Sequence, residues 1–175
     1  MKNALQLTTR GDREIVMTRA FDAPRTLVWE AFTTPELVRQ WLLGPPGWTM
    51  PVCEIDFRVG GRYRYVWRNS DGIEMGMSGV HREIVVPERI VSTEKFDQSW
   101  YPGEAVGTFV LVEHAGKTTL TQTVLYESRE AREIVLKSPM ESGVAAGYDR
   151  LEQLVASIAA GSMAAGENSP GEKTA

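Results

Sequence analysis

Residues 62–68 carry the clearest chemical pattern in the sequence. Tyr63, Tyr65 and Trp67 alternate there with arginine and valine. Side chains two positions apart share one face of a β-strand, so one face carries the aromatic rings and the other carries the guanidinium groups. The aromatic face either packs in a filled core or lines a ligand cavity, and both interpretations place the rings inside the protein.

Further aromatic and methionine residues favour a cavity. Two tryptophans flank a helix break at residues 44–47, where an entrance could form. Two methionines share one face of the next predicted strand, and methionine adapts to varied ligand shapes. A one-residue bulge would turn Met75 and His81 to the opposite face, so the set depends on strand register. The predicted ligand-binding residues are Trp41, Trp48, Tyr63, Tyr65, Trp67, Met75, Met77, His81 and Tyr148.

We assign no residue a catalytic role. His81 is a candidate, because alternation places it on the face of the two methionines, where it could act as an acid or base. A structural histidine with a protein partner fits that position equally well. Cys53 alternates with apolar residues and is interpreted as a core residue rather than a nucleophile. Three carboxylates lie on predicted strands, and nothing in the sequence indicates that any two of them form a catalytic pair. They are Glu54, Asp56 and Glu94.

Composition and charge exclude several classes of function. The formal net charge is -4, which argues against nucleic acid as a main partner, since phosphate binding needs a basic surface. One cysteine and two histidines cannot build a structural zinc site, and we predict neither a metal nor a cofactor. No apolar run approaches the ~20 residues of a membrane span, and no signal peptide is evident. We therefore expect a cytoplasmic protein without membrane insertion.

Strand patterns separated by turn residues fill the middle of the chain. Short turns between consecutive strands indicate an antiparallel meander. Two short helices are predicted before this meander, the first capped by Asp22 and the second beginning at Pro35, and a third follows it, capped by Ser128. The predicted strands span residues 5–9, 14–22, 49–57, 62–68, 74–85, 89–96, 107–114 and 118–126.

One long helix is predicted near the C-terminus. Ser138 provides its cap, and apolar residues then recur every three or four positions for about five turns. Gly143 and Gly147 lie four apart on it, and their missing side chains allow either close packing on the sheet or room for a ligand. Residues 161–175 are small, polar and glycine-rich, so we predict one domain over residues 1–160 and a disordered tail over residues 161–175.

These elements combine into an α+β fold. The long helix must bury its apolar stripe and the sheet must cover one face, and packing one on the other satisfies both requirements.

Five stretches of the sequence resemble a known family. From about Glu14 to Ser157 the chain is similar to the activator of heat-shock-protein-ninety ATPase homologue-like family, within the SRPBCC (START-like, birch-pollen-allergen-like) superfamily. The resemblance rests on TRAFDAPRTLVWEAFTTPELVRQWL, VCEIDFRVGGRYRYVWR, GVHREIVVPERIV, GKTTLTQTVLY and GVAAGYDRLEQLV.

The resemblance implies a helix-grip fold, in which a curved antiparallel sheet wraps around a long C-terminal helix, with two short helices after the first strand. It also implies a deep hydrophobic cavity, which in many superfamily members binds lipids, sterols or polyketide-like molecules. It supplies no shared catalytic motif.

Three functions follow as hypotheses. The leading one is binding of a small hydrophobic molecule (lipid, sterol, aromatic or polyketide-like) between sheet and helix, which predicts a closed cavity of several hundred Å³. The first alternative is a polyketide cyclase or hydrolase that uses His81, Tyr65 or an inward-facing carboxylate as acid or base. The second is a chaperone-associated or stress-response interaction module. A homodimer through an exposed sheet edge is a further prediction.

Overall fold

Eight strands and four helices form within residues 3–167, the part of the chain that the structure, a computed structural model, describes. The two predicted N-terminal strands and the predicted meander are confirmed, and each strand begins and ends within two residues of its predicted bounds. The strands are β1 (Gln6–Arg10), β2 (Glu14–Phe21), β3 (Trp48–Ile55), β4 (Arg62–Asn69), β5 (Glu74–Val85), β6 (Arg89–Phe96), β7 (Ala105–His114) and β8 (Lys117–Leu125).

All strand pairs are antiparallel. The order in the sheet is β1-β2-β8-β7-β6-β5-β4-β3, so that the N-terminal hairpin joins the last strand of the meander. Alternation sets the faces of β2, in which Ile15, Met17, Arg19 and Phe21 are buried and the residues between them are partly exposed. Strands β7 and β8 show the same alternation over part of their length, with Ala105, Gly107 and Leu111 buried in β7 and Thr118, Leu120 and Val124 buried in β8.

The helices are α1 (Arg25–Thr33), α2 (Pro35–Trp41), α3 (Arg129–Leu136) and α4 (Met140–Glu167). The predicted cap of α3 is confirmed, because Ser128 Oγ accepts a hydrogen bond from Ala131 N at 3.0 Å. The predicted cap of α1 is wrong. Asp22 pairs with Lys117 at 3.3 Å instead, and the free amide of Arg25 donates to Glu113 Oε2 of β7 at 2.7 Å. A distant strand thus supplies the carboxylate that a local residue was expected to provide.

Helix α4 begins where the sequence predicts, since Ser138 Oγ accepts a hydrogen bond from Met140 N at 3.3 Å. It continues past Gly161 to Glu167. The remainder of the predicted tail, residues 168–175, lies outside the described residues, and the division of the chain at residue 160 stays a prediction.

The middle of α4 packs on the sheet. Tyr148, Leu151 and Val155 are buried against Phe21 of β2 and Leu120 of β8. This packing gives the α+β, helix-grip arrangement in which the curved sheet grips the helix.

Buried side chains group into three clusters rather than one continuous core. The first joins α1, α2 and α4 to β7 and β8, the second joins α3 to β2 and β8, and the third joins α2 to β3 and β4. Trp41, Tyr126 and Trp67, one from each cluster, also line a common space between them. The core therefore surrounds a cavity instead of filling it.

Arg19 ties α4 to the sheet. Its side chain is 1% exposed, and its guanidinium donates to Asp149 Oδ1 at 3.0 Å and to Glu152 Oε2 at 2.7 Å. It also lies 5.6 Å from the centre of the Phe21 ring. Two carboxylates on consecutive turns of α4 thus hold one buried cation of β2, and this arrangement fixes the position of the helix along the strand.

We expect Arg19→Met to lower the free energy of unfolding by about 3 kcal/mol, because the change leaves two partly buried carboxylates without their cation. Chemical denaturation by urea measures the loss. Arg68→Ala removes an exposed pair with Glu74 and should cost less than about 1 kcal/mol. Equal losses in the two variants would contradict an anchoring role for Arg19.

Candidate functional site

A cavity of about 540 Å³ lies between the sheet, α2 and the N-terminal half of α4. This volume falls within the range of small-molecule sites. Its wall includes the exposed residues Pro45, Met75, Trp100 and Pro139, so the cavity opens to solvent between the loop after α2, β5, the β6–β7 loop and the start of α4. The sequence predicted a closed cavity of similar size, and the mouth is the difference.

All nine predicted ligand-binding residues line this cavity. They are Trp41, Trp48, Tyr63, Tyr65, Trp67, Met75, Met77, His81 and Tyr148. They come from α2, β3, β4, β5 and α4, and the antiparallel register of β4 and β5 brings the strand residues onto one wall. Their role in binding stays a prediction.

Two of the tryptophans are fixed by hydrogen bonds from their indole nitrogens. Trp41 Nε1 donates to Ala31 O at 2.9 Å, and Trp67 Nε1 donates to Leu42 O at 2.6 Å. Both acceptors are backbone carbonyls of the helical segment that follows β2. The rings are therefore held in place without a ligand, and this part of the wall is preformed.

The strand register keeps Met75, Met77 and His81 on the cavity side. The pairing of β4 with β5 runs without interruption from Arg68↔Glu74 to Arg62↔Val80. An irregularity between β5 and β6 does occur, but it falls between His81 and Glu83, after the last cavity residue of β5. A bulge before these residues would have turned their side chains to the opposite face, but the observed irregularity comes after them in the sequence.

Tyr63 and His81 form a packed pair on the sheet wall. Tyr63 Oη donates to Thr93 O at 2.6 Å, and its ring passes over Gly79, where a Cβ would lie 2.7 Å from Tyr63 Oη. The His81 ring stacks on the Tyr63 ring at 5.4 Å. A side chain at position 79 would displace this tyrosine, so the glycine is a packing requirement.

His81 is buried, and one of its two ring nitrogens has a partner. Nδ1 lies 2.8 Å from Ser92 Oγ. Within residues 3–167, Nε2 has no hydrogen-bond partner. Burial lowers the pKa of His81, because the charged imidazolium loses its hydration. The imidazole is therefore neutral at physiological pH.

Gly143 and Gly147 of α4 have different neighbours. A Cβ on Gly147 would lie 3.3 Å from Trp41 O, so this glycine permits close approach of α4 to the end of α2. A Cβ on Gly143 would lie 3.8 Å from Pro45 Cδ, beside the mouth. The sequence left open close packing on the sheet or room for a ligand. Both glycines line the cavity, and their nearest neighbours belong to α2 and its following loop rather than to the sheet.

The structure adds polar residues that sequence reasoning did not include in the site. Glu94, Tyr101, Gln122 and Tyr126 line the cavity, and Tyr148 Oη donates to Gln122 Oε1 at 2.6 Å. Alternation along β6 could have indicated Glu94, because it occupies the same face as buried Ser92. No periodic signal marks Tyr101, which lies in the β6–β7 loop.

Glu94 is a carboxylic acid in an apolar wall. Its side chain is partly buried and lines the cavity. Within the described chain it has neither a hydrogen-bond partner nor an ion-pair partner. Burial raises the pKa of Glu94 to about 7, because the carboxylate would lose its hydration without a compensating charge. A side chain in this state can donate or accept a proton near neutral pH.

Cys53 is a core residue, as the sequence predicts. It is buried with Val38 and Met50, and burial raises the pKa of its thiol to about 11. Within residues 3–167, no group of three or more His, Cys, Asp or Glu side chains is arranged to hold a metal ion. Over the same residues, none of the helices has the length and apolar character needed to cross a membrane.

The variant Glu94→Gln tests whether the pKa of the Glu94 carboxyl is raised in the folded protein. An unfolded chain loses the Glu94 proton near pH 4.5, whereas the folded protein keeps it to about pH 7, so ionisation destabilises the folded state as the pH rises between these values. The variant should therefore gain stability relative to the natural protein as the pH rises, by up to about 3 kcal/mol above pH 7. Urea denaturation of both proteins at about pH 5 and about pH 8 measures the change. A difference between the two proteins that is the same at both pH values would contradict the raised pKa.

Comparisons with other proteins agree with this fold. The chain is 29% identical to a protein from Rhodobacter sphaeroides of known crystal structure, with a TM-score of 0.83 and coverage of 88% of this chain and 99% of that chain. Crystal structures of proteins from Nitrosomonas europaea (22% identity, TM-score 0.77, 87% and 99% coverage) and Mycobacterium smegmatis (23%, 0.76, 86% and 96%) share the fold. Among curated proteins, none matches the chain significantly.

Residues 22–156 match the family described as Activator of Hsp90 ATPase homolog 1-like protein. The matched segment runs from the end of β2 into α4 and so contains the whole meander and every predicted ligand-binding residue. This chain belongs to the Activator of Hsp90 ATPase homolog 1-like family.

Proposed function

We propose that this protein binds a small hydrophobic molecule in the cavity between the sheet and α4. The observation that carries the proposal is the cavity of about 540 Å³, whose wall is mainly aromatic and aliphatic. An apolar cavity of this size costs a folded protein packing energy, because its wall atoms lose contacts that a filled core would supply. A ligand that fills it restores those contacts.

The wall has the features of a preformed binding site. Trp41 and Trp67 are held by hydrogen bonds to backbone carbonyls, and Tyr63 is held by one to Thr93 O. A rigid wall lowers the entropy cost of binding, since few side chains must be ordered when the ligand arrives. Met75 and Met77 lie among these fixed rings and supply an adaptable surface.

Membership of the family supports the same proposal at a coarser level. The resemblance to the SRPBCC superfamily implies cavities that hold lipids, sterols or polyketide-like molecules. The class of ligand among these remains part of the proposal. A chaperone-associated role stays a separate prediction, and a pulldown with the cognate heat-shock ATPase would test it.

The natural ligand can be sought by mass spectrometry. Protein purified from its host is measured first under non-denaturing conditions and then after denaturation. We expect additional mass in the first measurement that disappears in the second, and extraction of the released molecule would identify its class.

A fluorescent probe tests the cavity itself. We expect N-phenyl-1-naphthylamine, a neutral apolar dye, to gain fluorescence on binding, and Met77→Trp to weaken its affinity by roughly tenfold or more by filling the space. Val112→Trp provides the matched control, because Val112 is 58% exposed on β7 and lies outside the cavity wall. Circular dichroism confirms that both variants fold. Equal affinity in the two variants would place the dye elsewhere.

An enzymatic function is the second candidate, and Glu94 is the observation that favours it. A carboxyl with a pKa near 7 on the wall of an apolar cavity has the properties of a general acid or base. His81 and Tyr65 line the same cavity. If a substrate is found among extracted ligands, Glu94→Gln and His81→Ala should each be assayed for turnover, and unchanged turnover removes that residue from the mechanism.

A further inference from the structure

The wall of the cavity has an unusual balance of charge. Among its lining residues within the described chain, Glu94 is the only carboxylic acid and His81 the only basic side chain, and neither lysine nor arginine takes part. His81 stays neutral because its pKa is lowered by burial. When Glu94 ionises, it therefore places a negative charge in the cavity that the wall itself does not balance.

The two buried arginines of the described chain bind groups other than Glu94. Arg19 binds Asp149 and Glu152 of α4. Arg132 of α3 donates to Gly11 O at 3.0 Å and pairs with Glu133 at 2.9 Å. Neither arginine lines the cavity. Within the described residues, the protein therefore supplies no counterion for Glu94, which leaves that role to a cation that enters the cavity.

Small residues of β7 leave room for the Glu94 carboxyl. Glu94 pairs with Ala105 across β6 and β7, and its Oε1 lies so close to Gly107 that a Cβ at that position would overlap it. Small residues on the neighbouring strand thus leave a recess that the carboxyl occupies. A side chain at position 107 would displace the Glu94 carboxyl, so Gly107 leaves room for it in its observed position.

Tyrosines surround the carboxyl and add to its attraction for a cation. The pKa values of Tyr63, Tyr65, Tyr101 and Tyr126 are all raised, first by burial and further by the charge of Glu94. Within residues 3–167, the side-chain hydroxyls of Tyr65, Tyr101 and Tyr126 form no hydrogen bond. Aromatic faces and hydroxyl oxygens both carry partial negative charge, which favours a bound cation.

We propose that the ligand of this cavity carries a protonated amine that binds the Glu94 carboxylate among these tyrosines, while its hydrophobic remainder fills the apolar space. This inference rests on the proposed binding function and specifies its ligand class. An ammonium group satisfies both the unpaired carboxylate and the aromatic surroundings. A carboxylate ligand such as a fatty acid meets a like charge and no compensating cation, so the same wall excludes it.

The test compares three ten-carbon ligands that differ in their polar group: decylamine, 1-decanol and decanoic acid. Each displaces N-phenyl-1-naphthylamine from the protein at about pH 8, where the amine is charged, the acid is ionised and Glu94 is mainly ionised. We expect decylamine to bind roughly tenfold more tightly than 1-decanol and decanoic acid to bind most weakly. The affinity ratio of decylamine to 1-decanol should fall by roughly tenfold or more in Glu94→Gln.

Glu54→Gln is the matched control, because it makes the same change of net charge at an exposed position of β3 outside the cavity wall. The ratio should not change in this variant. If 1-decanol and the dye bind but decylamine has no advantage, or if its advantage survives in Glu94→Gln, the amine inference is overturned and the proposed function stands. If neither the dye nor 1-decanol binds, the proposed function fails and the inference fails with it.

Discussion

The ion pairs of Arg19 hold the long helix in place over the sheet, and the cavity depends on that attachment. The cation lies on β2 with 1% of its side chain exposed, and both of its carboxylate partners lie on α4 beyond Tyr148. Leu151 and Val155 bury their side chains in the same middle section of the helix. Because this section of α4 is held on the sheet, the N-terminal turns before it can border the cavity without losing their position. The space beneath it is therefore a stable part of the fold.

The shape of the cavity wall also depends on glycines that lie next to larger groups. Gly79 lets the Tyr63 ring cross its strand, Gly107 leaves a recess for Glu94, and Gly147 lets α4 approach the end of α2. Each glycine removes bulk at one point so that a larger group can be held at another. Rings and one carboxyl are thereby accommodated around an open space.

The sequence predicted most of the fold because the signals involved are local. Alternation in β4 and β5 placed Tyr63, Tyr65, Trp67, Met75 and Met77 on one face, and the structure keeps that register up to His81. The start of α4 followed from Ser138, whose cap depends on neighbouring residues.

The features that the sequence did not predict depend on contacts between distant residues. The cap of α1 comes from Glu113, 88 positions away, which no local pattern could indicate. Glu94 occupies an inward position where alternation predicts an apolar residue, and its place in the wall depends on Gly107 of the next strand. The neighbour of Gly147 is α2 rather than the sheet, because the helix crossing is set by tertiary packing.

The position of the mouth has a consequence for how the protein could diverge. The opening lies between Pro45, Met75, Trp100 and Pro139, and three of these four residues lie in loops or at the start of a helix. The carboxyl and most of the fixed rings lie on strands of the sheet. Under the proposed binding function, exchange kinetics would therefore depend on one set of residues and ligand selectivity on another. Substitutions in the loops would then change residence time without altering which molecules are accepted, so the two properties could evolve independently on the same scaffold.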